Sequence, residues 1–346
     1  MLKPGLPGFP SERLGALFAP VAAREKIALA VSGGGDSLGL MVLVGHWLKS
    51  WDLHPEIFVY SLNHGLRAEA ADETAMVGEI ARDMGFSFRE LIWDEKKPTT
   101  GIQAAAREAR YRLIAQAMHR DGVDILLTGH HINDQAETVL MRLAAGSGIY
   151  GLRGMEAISR MQGIEVFRPL LEVKSEELTN LLCHVGLRSV QDPGNIDEKF
   201  ERVRWRKALG GLGGLGLDCD RLSVFSKRMA RADQALRQMC DDLFASHVHV
   251  DQFGVLGMDQ KDFFSQPDEM AIRLLSRMIY AASGGRGKGE LAQLEKLVQA
   301  LAVQDFTAHT LAHCKVAKRH DFIFVAREAG RIEGGQVLVG AGETIV

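Results

Sequence analysis

Between residues 26 and 145, short apolar runs alternate with longer stretches in which apolar residues recur at helical spacing. Lys26-Ile27-Ala28-Leu29-Ala30-Val31 is short and apolar and ends at glycines, the pattern of a strand buried on both faces. Residues 38–48 follow it with helical periodicity. Further strands are expected at 57–62, 87–93 and 124–128, and further helices at 70–84, 102–119 and 133–145. Strands separated by helices of this length build an α/β domain, with a parallel sheet covered by helices on both faces.

The pattern changes beyond residue 145. Residues 146–154 are a glycine-rich loop, Arg168-Pro169-Leu170-Leu171 is an extended stop, and 176–185 is helical. Gly210-Gly211-Leu212-Gly213-Gly214-Leu215-Gly216 holds five glycines in seven positions, which suits neither a stable helix nor a strand. A domain of residues 1–212 and a smaller one of 213–346 are therefore expected, in line with ~150 residues per domain. The second reads as mainly helical, with helices at 222–244, 270–282 and 290–301 and a small β pair within 310–327. No internal repeat is visible.

Composition excludes whole classes. Hydrophobic residues are 46% and charged residues 25%, the proportions of a folded globular chain. Four dispersed cysteines, Cys183, Cys219, Cys240 and Cys314, form no C-x-x-C and no disulfide framework, and suit a reducing compartment. No apolar run reaches the ~18 residues of a membrane span, and the first twenty residues lack the apolar core of a secretory signal, so the expected location is cytoplasmic. With 41 basic and 44 acidic residues the formal charge is −3, so any nucleic-acid contact must use a local basic patch. Such a patch exists: residues 202–237 carry nine basic residues (Arg202, Arg204, Arg206, Lys207, Arg221, Lys227, Arg228, Arg231 and Arg237) against three acids. His309, His313 and Cys314 have metal-like spacing but no fourth ligand, which favours a structural role.

Chemistry concentrates at strand tips. Ser32-Gly33-Gly34-Gly35-Asp36-Ser37 joins the first strand to the first long helix. Glycines there let backbone approach a ligand closely, and free N–H groups with the helix dipole make an anion site. It is neither a Walker A loop, lacking Gly-Lys-Ser/Thr, nor a G-x-G-x-x-G fingerprint, since Leu38 stands at the third glycine's place. An unliganded glycine turn is the bland alternative. A second cluster, Thr128-Gly129-His130-His131-Ile132-Asn133-Asp134-Gln135-Ala136-Glu137-Thr138, again opens a helix from a strand end. Asp134 and Glu137 share a helix face, and His130 sits at the sheet's mouth, where open α/β folds bind ligands. Its bland alternative is acids that merely favour the helix dipole.

The loop at 32–37 resembles the signature of the PP-loop ATP pyrophosphatases. Taken with Asn63-His64-Gly65-Leu66-Arg67, Ala106-Arg107-Glu108-Ala109-Arg110-Tyr111, the 129–138 cluster, Gly146-Ser147-Gly148, Gly151-Leu152-Arg153-Gly154-Met155, Arg168-Pro169-Leu170-Leu171, Asp192-Pro193-Gly194-Asn195 and Phe200-Glu201-Arg202-Val203-Arg204-Trp205-Arg206, the set resembles the tRNA(Ile)-lysidine synthetases. The likeness covers residues 27–206 and weakens past 217. Asn133, Ala145 and Gly194 depart from the family's usual Asp, Arg and Ser. The resemblance implies that the longest members carry a further C-terminal domain, which is not expected within a chain of this length.

The resemblance implies a PP-loop, Rossmann-like fold (adenine nucleotide alpha hydrolase-like) and a ligase that uses ATP with Mg2+. It joins L-lysine to C2 of the wobble cytidine, position 34, of tRNA(Ile) with a CAU anticodon, through an adenylated cytidine. Codon reading then switches from AUG to AUA. Ser32, Gly33, Gly34, Gly35, Asp36 and Ser37 would bind the nucleotide, with Asp36 a contact for Mg2+. Asp134 and Glu137 would supply countercharge to the lysine amine, and one of them or His130 would take its proton. Arg110, Arg204 or Arg206 would neutralise phosphates or the lysine carboxylate. Residues beyond 217 would dock tRNA, no membrane is involved, and a homodimer is in keeping with many relatives. Other readings stay open: a PP-loop tRNA thiolase, which needs cysteines not paired here; an amidating synthetase, which leaves the basic stretch unexplained; and a nucleotide sensor without turnover.

Overall fold

The structure, a computed structural model, describes residues 5–65, 70–95, 97–98, 100–190, 197–287 and 289–328. Asp192-Pro193-Gly194-Asn195 and Leu66-Arg67, part of the quoted motifs, lie outside the described residues. The chain divides into two compact units, one built from the chain up to Gly146 with Gly151–Arg228, the other from Ser147–Tyr150 with the chain from Met229 onward.

In the first unit β1 (Lys26–Ala30), β2 (Glu56–Asn63), β3 (Ser87–Ile92) and β4 (Ile125–Thr128) are parallel and joined by helices. β5 (Ile158–Met161) and β6 (Ile164–Phe167) complete a six-stranded sheet of order β3-β2-β1-β4-β6-β5, in which β5 alone runs antiparallel to its neighbour. The helices of this part of the chain are α1 (Ser11–Phe18), α2 (Gly35–Ser50), α3 (Ala70–Asp83), α4 (Ile102–Asp121), α5 (Ile132–Ala144), α6 (Ile149–Leu152), α7 (Ser175–Val185), α8 (Glu201–Gly213) and α9 (Cys219–His247).

The period-two geometry of a strand sorts the sheet's side chains to two faces. Ile27, Leu29, Ile57, Val59, Ile125 and Leu127 pack in one core with α1, α2, α3 and α7. Ala28, Phe58, Tyr60, Leu126 and Val166 pack in another with Tyr111, Ile114, Ala117 and Met118 of α4. The sheet is thus covered on both sides, as the alternation in sequence requires. A third cluster, Ala136, Val139 and Leu140 of α5 with Leu209 of α8 and Leu222 of α9, holds α8 against α5.

Two features differ from the sequence reading. The glycine-rich run does not exclude helix: α8 continues through Gly210 and Gly211 to Gly213. A helical glycine costs about 1 kcal/mol, and the apolar seat of Leu209, with Leu212 beside it, offsets that cost. Second, β5 and β6 form a hairpin where the sequence shows no strand pattern. The hairpin turns through Gln162 (φ 49°) and Gly163 (φ 82°), the two left-handed positions that a tight hairpin needs.

The second unit adds α10 (Gln260–Phe264), α11 (Asp268–Ala282) and α12 (Leu291–Leu301) to strands β7 (His249–Val250), β8 (Leu256–Asp259), β9 (Ala308–Leu311), β10 (Cys314–Arg319) and β11 (Phe322–Arg327). The expected β pair is therefore part of a five-stranded antiparallel sheet of order β7-β8-β11-β10-β9. Leu274, Met278 and Ile279 of α11 and Leu297 and Leu301 of α12 bury against Val316, Ile323 and Val325. Cys314 joins this core, its thiol donating to Ile279 O at 3.4 Å. Among the described residues no group of three or more His, Cys, Asp or Glu could hold a metal. Among those same residues no helix is long and apolar enough to cross a membrane.

Candidate active site

The site lies in the first unit, at the carboxyl ends of β1, β2 and β4. After β1 the Val31 N–H still donates to Tyr60 O at 3.0 Å, and then the chain turns away from the sheet. Gly33 adopts φ +83°, a conformation that a side chain would strain, and its carbonyl accepts the Val190 N–H at 2.9 Å. Ser37 Oγ accepts the Ser32 N–H at 3.1 Å and donates to Gly34 O at 2.9 Å, which closes the loop on itself. Gly34 is the N-cap of α2. The first N–H groups of a helix have no intrahelical acceptor, so this turn is prepared for an anion.

That loop forms one wall of a cavity of ≈ 320 Å³. Arg107, Arg110, Tyr111 and Ile114 of α4 contribute another wall, Tyr60, Leu62 and His64 come from the end of β2, and Thr128, Gly129, His130, Asp134 and Arg202 complete it. The strand tip at Gly129 abuts the loop so closely that a Cβ there would lie 2.8 Å from Asp36 O.

Electrostatics favour an anionic guest. Arg110 Nη2 lies 3.3 Å from His64 Nε2; burial, together with the Arg107 charge, lowers the Arg110 pKa below its usual value, with Tyr111 opposing. His130 Nδ1 is 2.8 Å from Thr128 Oγ1. Its pKa is pushed down to about 4, first by burial and then by the charges of Arg168, Arg107 and Arg202, while Asp134 opposes the shift. His130 is therefore neutral near pH 7. Arg168 is buried beneath the site, donating to Glu156 O at 2.8 Å and Ser159 Oγ at 2.9 Å.

The acids at the start of α5 are both paired with arginine. Asp134 Oδ2 accepts the His131 backbone N–H at 2.9 Å, and its Oδ1 accepts from Arg202 Nη2 at 2.8 Å. Glu137, 1% exposed, accepts from Arg202 Nε at 2.6 Å and from Arg206 Nε at 2.7 Å. Burial raises the Asp134 pKa, but the nearby His131, Arg202 and His130 and the His131 backbone bond outweigh it and hold the carboxyl below its usual range.

Ser32, Gly34, Gly35, Asp36, Ser37, Arg110, His130 and Asp134 thus border one cavity, and Gly33 shapes its loop. Glu137 stands behind them, facing two guanidiniums. Arg204 is turned elsewhere, its Nη1 donating to Glu198 O at 2.9 Å and Lys199 O at 3.0 Å. Arg202 occupies the place that sequence reasoning left to Arg204. Positions 202 and 206 share a helix face and 204 does not, a spacing visible in the chain. Arg107, Tyr111 and His131 were likewise not singled out. His131 had a signal of its own, since it immediately precedes an apolar-periodic run and has Asp134 three residues later, the spacing of a capping box.

Among the described residues no group of three or more His, Cys, Asp or Glu forms a cage for a metal, but Mg2+ typically binds through one or two carboxylates together with substrate phosphates. Asp36, with its side chain 47% exposed on the 32–37 loop, suits that arrangement.

The PP-loop domain family model matches residues 10–211. The tRNA(Ile)-lysidine synthase of Rhodopseudomonas palustris is 41% identical over 287 residues, covering 83% of each chain. That of Bradyrhizobium diazoefficiens is 40% identical, covering 82% of this chain and 80% of its own, and that of Wolbachia pipientis is 33% identical, covering 89% and 72%. Among solved structures a U34-tRNA thiolase from Methanococcus maripaludis shares the fold at a TM-score of 0.53 and 16% identity, covering 63% of this chain and 78% of that one. On these likenesses, the chain belongs to the tRNA(Ile)-lysidine synthase family.

Proposed function

We propose that this protein joins L-lysine to C2 of the wobble cytidine of tRNA(Ile) with a CAU anticodon, consuming ATP. Besides family membership, the observation that carries the reading is a single cavity bordered by both the phosphate loop and the Asp134–Arg202 pair. A phosphate tail and a charged amino acid need two such neighbouring sites.

The chemistry runs in two displacements. The cytidine O2 attacks the α-phosphorus of ATP, and pyrophosphate leaves against the amides of the 32–37 loop. The ε-amine of lysine then attacks C2, the C2–O bond breaks, and AMP departs with the oxygen. Arg107 and Arg110 would offset the phosphate charge. Mg2+ carried with ATP and met by Asp36 would shield the same charge. A free lysine ammonium has a pKa of ~10.4 and must lose a proton before it attacks. Neutral His130 and ionised Asp134 are available acceptors, and the guanidiniums around the cavity would lower the ammonium's pKa by like-charge repulsion. Glu137 would act by fixing Arg202 and Arg206.

For tRNA, α9 offers exposed Arg221, Arg228 and Arg231, which make no ion pair among the described residues, whereas Lys227 is engaged with Glu172. Residence in the cytoplasm and a homodimeric state belong to the same reading. Pyrophosphate release should require both tRNA(Ile) and lysine. Release with tRNA and a sulfur donor, or with ammonia and no tRNA, would replace the assignment with a thiolase or an amidating enzyme.

A further inference from the structure

We propose that His131 is a positioning residue whose tautomer, fixed by its own helix, orients the Asp36 carboxylate of the phosphate loop. The inference rests on reading the cavity as an ATP site, and concerns a residue that touches neither of the reacting groups assigned above.

His131 is the N-cap of α5, where its Nδ1 accepts the backbone N–H groups of Asn133 at 3.2 Å and Asp134 at 3.4 Å. A neutral imidazole has one donor and one acceptor nitrogen. Burial lowers the His131 pKa, but the bond to Asp36 and the charges of Asp134, Asp36 and Glu137 outweigh it and raise the pKa above its usual value. In the neutral ring, the two N–H groups at Nδ1 make that atom the acceptor and leave the ring proton on Nε2. Nε2 lies 3.3 Å from Asp36 Oδ1. No other hydrogen bond or ion pair holds the Asp36 carboxylate among the described residues, and its side chain is half exposed. The backbone N–H of His131 meanwhile holds Asp134 Oδ2 at 2.9 Å. One residue therefore grips a carboxylate on each side of the cavity: Asp36 through its ring and Asp134 through its main chain. The close approach of Gly129 to the Asp36 backbone keeps the gap between them short.

An oriented carboxylate meets phosphate or its cation without first losing rotamer freedom, and removing such a supporting bond typically costs 10–100-fold. Capping is a separate role, and the two can be separated by amide isosteres. Asparagine is a preferred N-cap, and its oxygen stands where Nδ1 stands, but it ends short of Asp36. The amide nitrogen of glutamine reaches the Nε2 position, but it caps poorly.

His131→Asn is expected to keep the wild-type Tm, weaken ATP binding in calorimetry, and lower kcat 10–100-fold with an unchanged KM for lysine. His131→Gln is expected to lower Tm yet keep kcat within several-fold. In an Asp36→Asn background, His131→Asn should add no further loss, because the two residues act as one unit. Wild-type ATP affinity and kcat in His131→Asn would overturn the proposal. So would losses that track Tm in both variants, or losses that add fully in the double variant. Wild-type protein that binds ATP but releases no pyrophosphate with tRNA(Ile) and lysine would instead overturn the ligase reading, leaving the calorimetric and Tm comparison to judge His131.

Discussion

Glu137 and Asp233 are both sealed from water, at 1% and 0% exposure, and each is held by two arginines. The surroundings of those arginines differ. Asp233 binds Arg237 Nη2 at 2.7 Å and Arg273 Nη1 at 3.0 Å; Arg273 is itself mostly buried and continues to Glu269 at 2.6 Å. This cluster belongs to the second unit, where α9 meets α11. Around Glu137, Arg202 and Arg206 are 38% and 49% exposed, and Arg202 lines the cavity. The same ion-pair chemistry thus closes on itself in one region and faces a ligand space in the other. Burial of a carboxylate between arginines is not by itself a sign of catalysis; what the arginines face on their far side is the better guide.

The sharpest test of that contrast is Asp233→Ala. Leaving two guanidiniums without their buried partner should cost about 3–5 kcal/mol of unfolding free energy, read by urea denaturation, with kcat of the folded fraction unchanged. A drop in kcat without a loss of stability would erase the distinction. Glu137→Gln should do the opposite, reducing ligation by about 10²–10³-fold, the scale of a lost electrostatic stabiliser, with a smaller change in the urea midpoint.

Third in size is a pH effect confined to the cavity region. His130 has a depressed pKa in the folded state, so the unfolded chain binds the extra proton first as pH falls. Stability is then complete above about pH 6.5 and declines as pH falls toward 4, by a sum on the order of 3 kcal/mol. His130→Gln should flatten this part of the Tm–pH curve, while Asp233→Ala should leave its slope as it is in the wild type. The smallest effect concerns the exposed cations: Arg228→Ala with Arg231→Ala should reduce the slope of log affinity for tRNA against log salt by about one per arginine. An unchanged slope would remove α9 from the RNA contact.

Much of the first unit is written in its periodicity. Residues 26–145 carry strands buried on both faces and amphipathic helices, and the expected elements agree with β1 to β4 and α2 to α5 to within a few residues. Once strand tips are known to meet, it follows that the 32–37 loop, His130 and Asp134 border one space. What escaped had local reasons. β5, β6 and β7 are two to four residues long, too short for a period to show. Gly210 and Gly211 opposed helix on propensity alone, and tertiary packing of Leu209 prevailed. Arg202 borders the cavity and Arg204 turns away from it, a difference set by register on α8 that residue type alone does not show.

Gly129 carries a lesson about how such a protein can change. With no room for even a methyl group between it and the Asp36 main chain, the glycine-rich bend and the acid-bearing helix travel as a single casting. A lineage could recarve the rim for another amino acid or another RNA, but any shift at one of these two parts would be inherited by the other. Novelty in such a scaffold should accumulate in the outlying loops and the appended second unit, while the junction at residue 129 admits almost none.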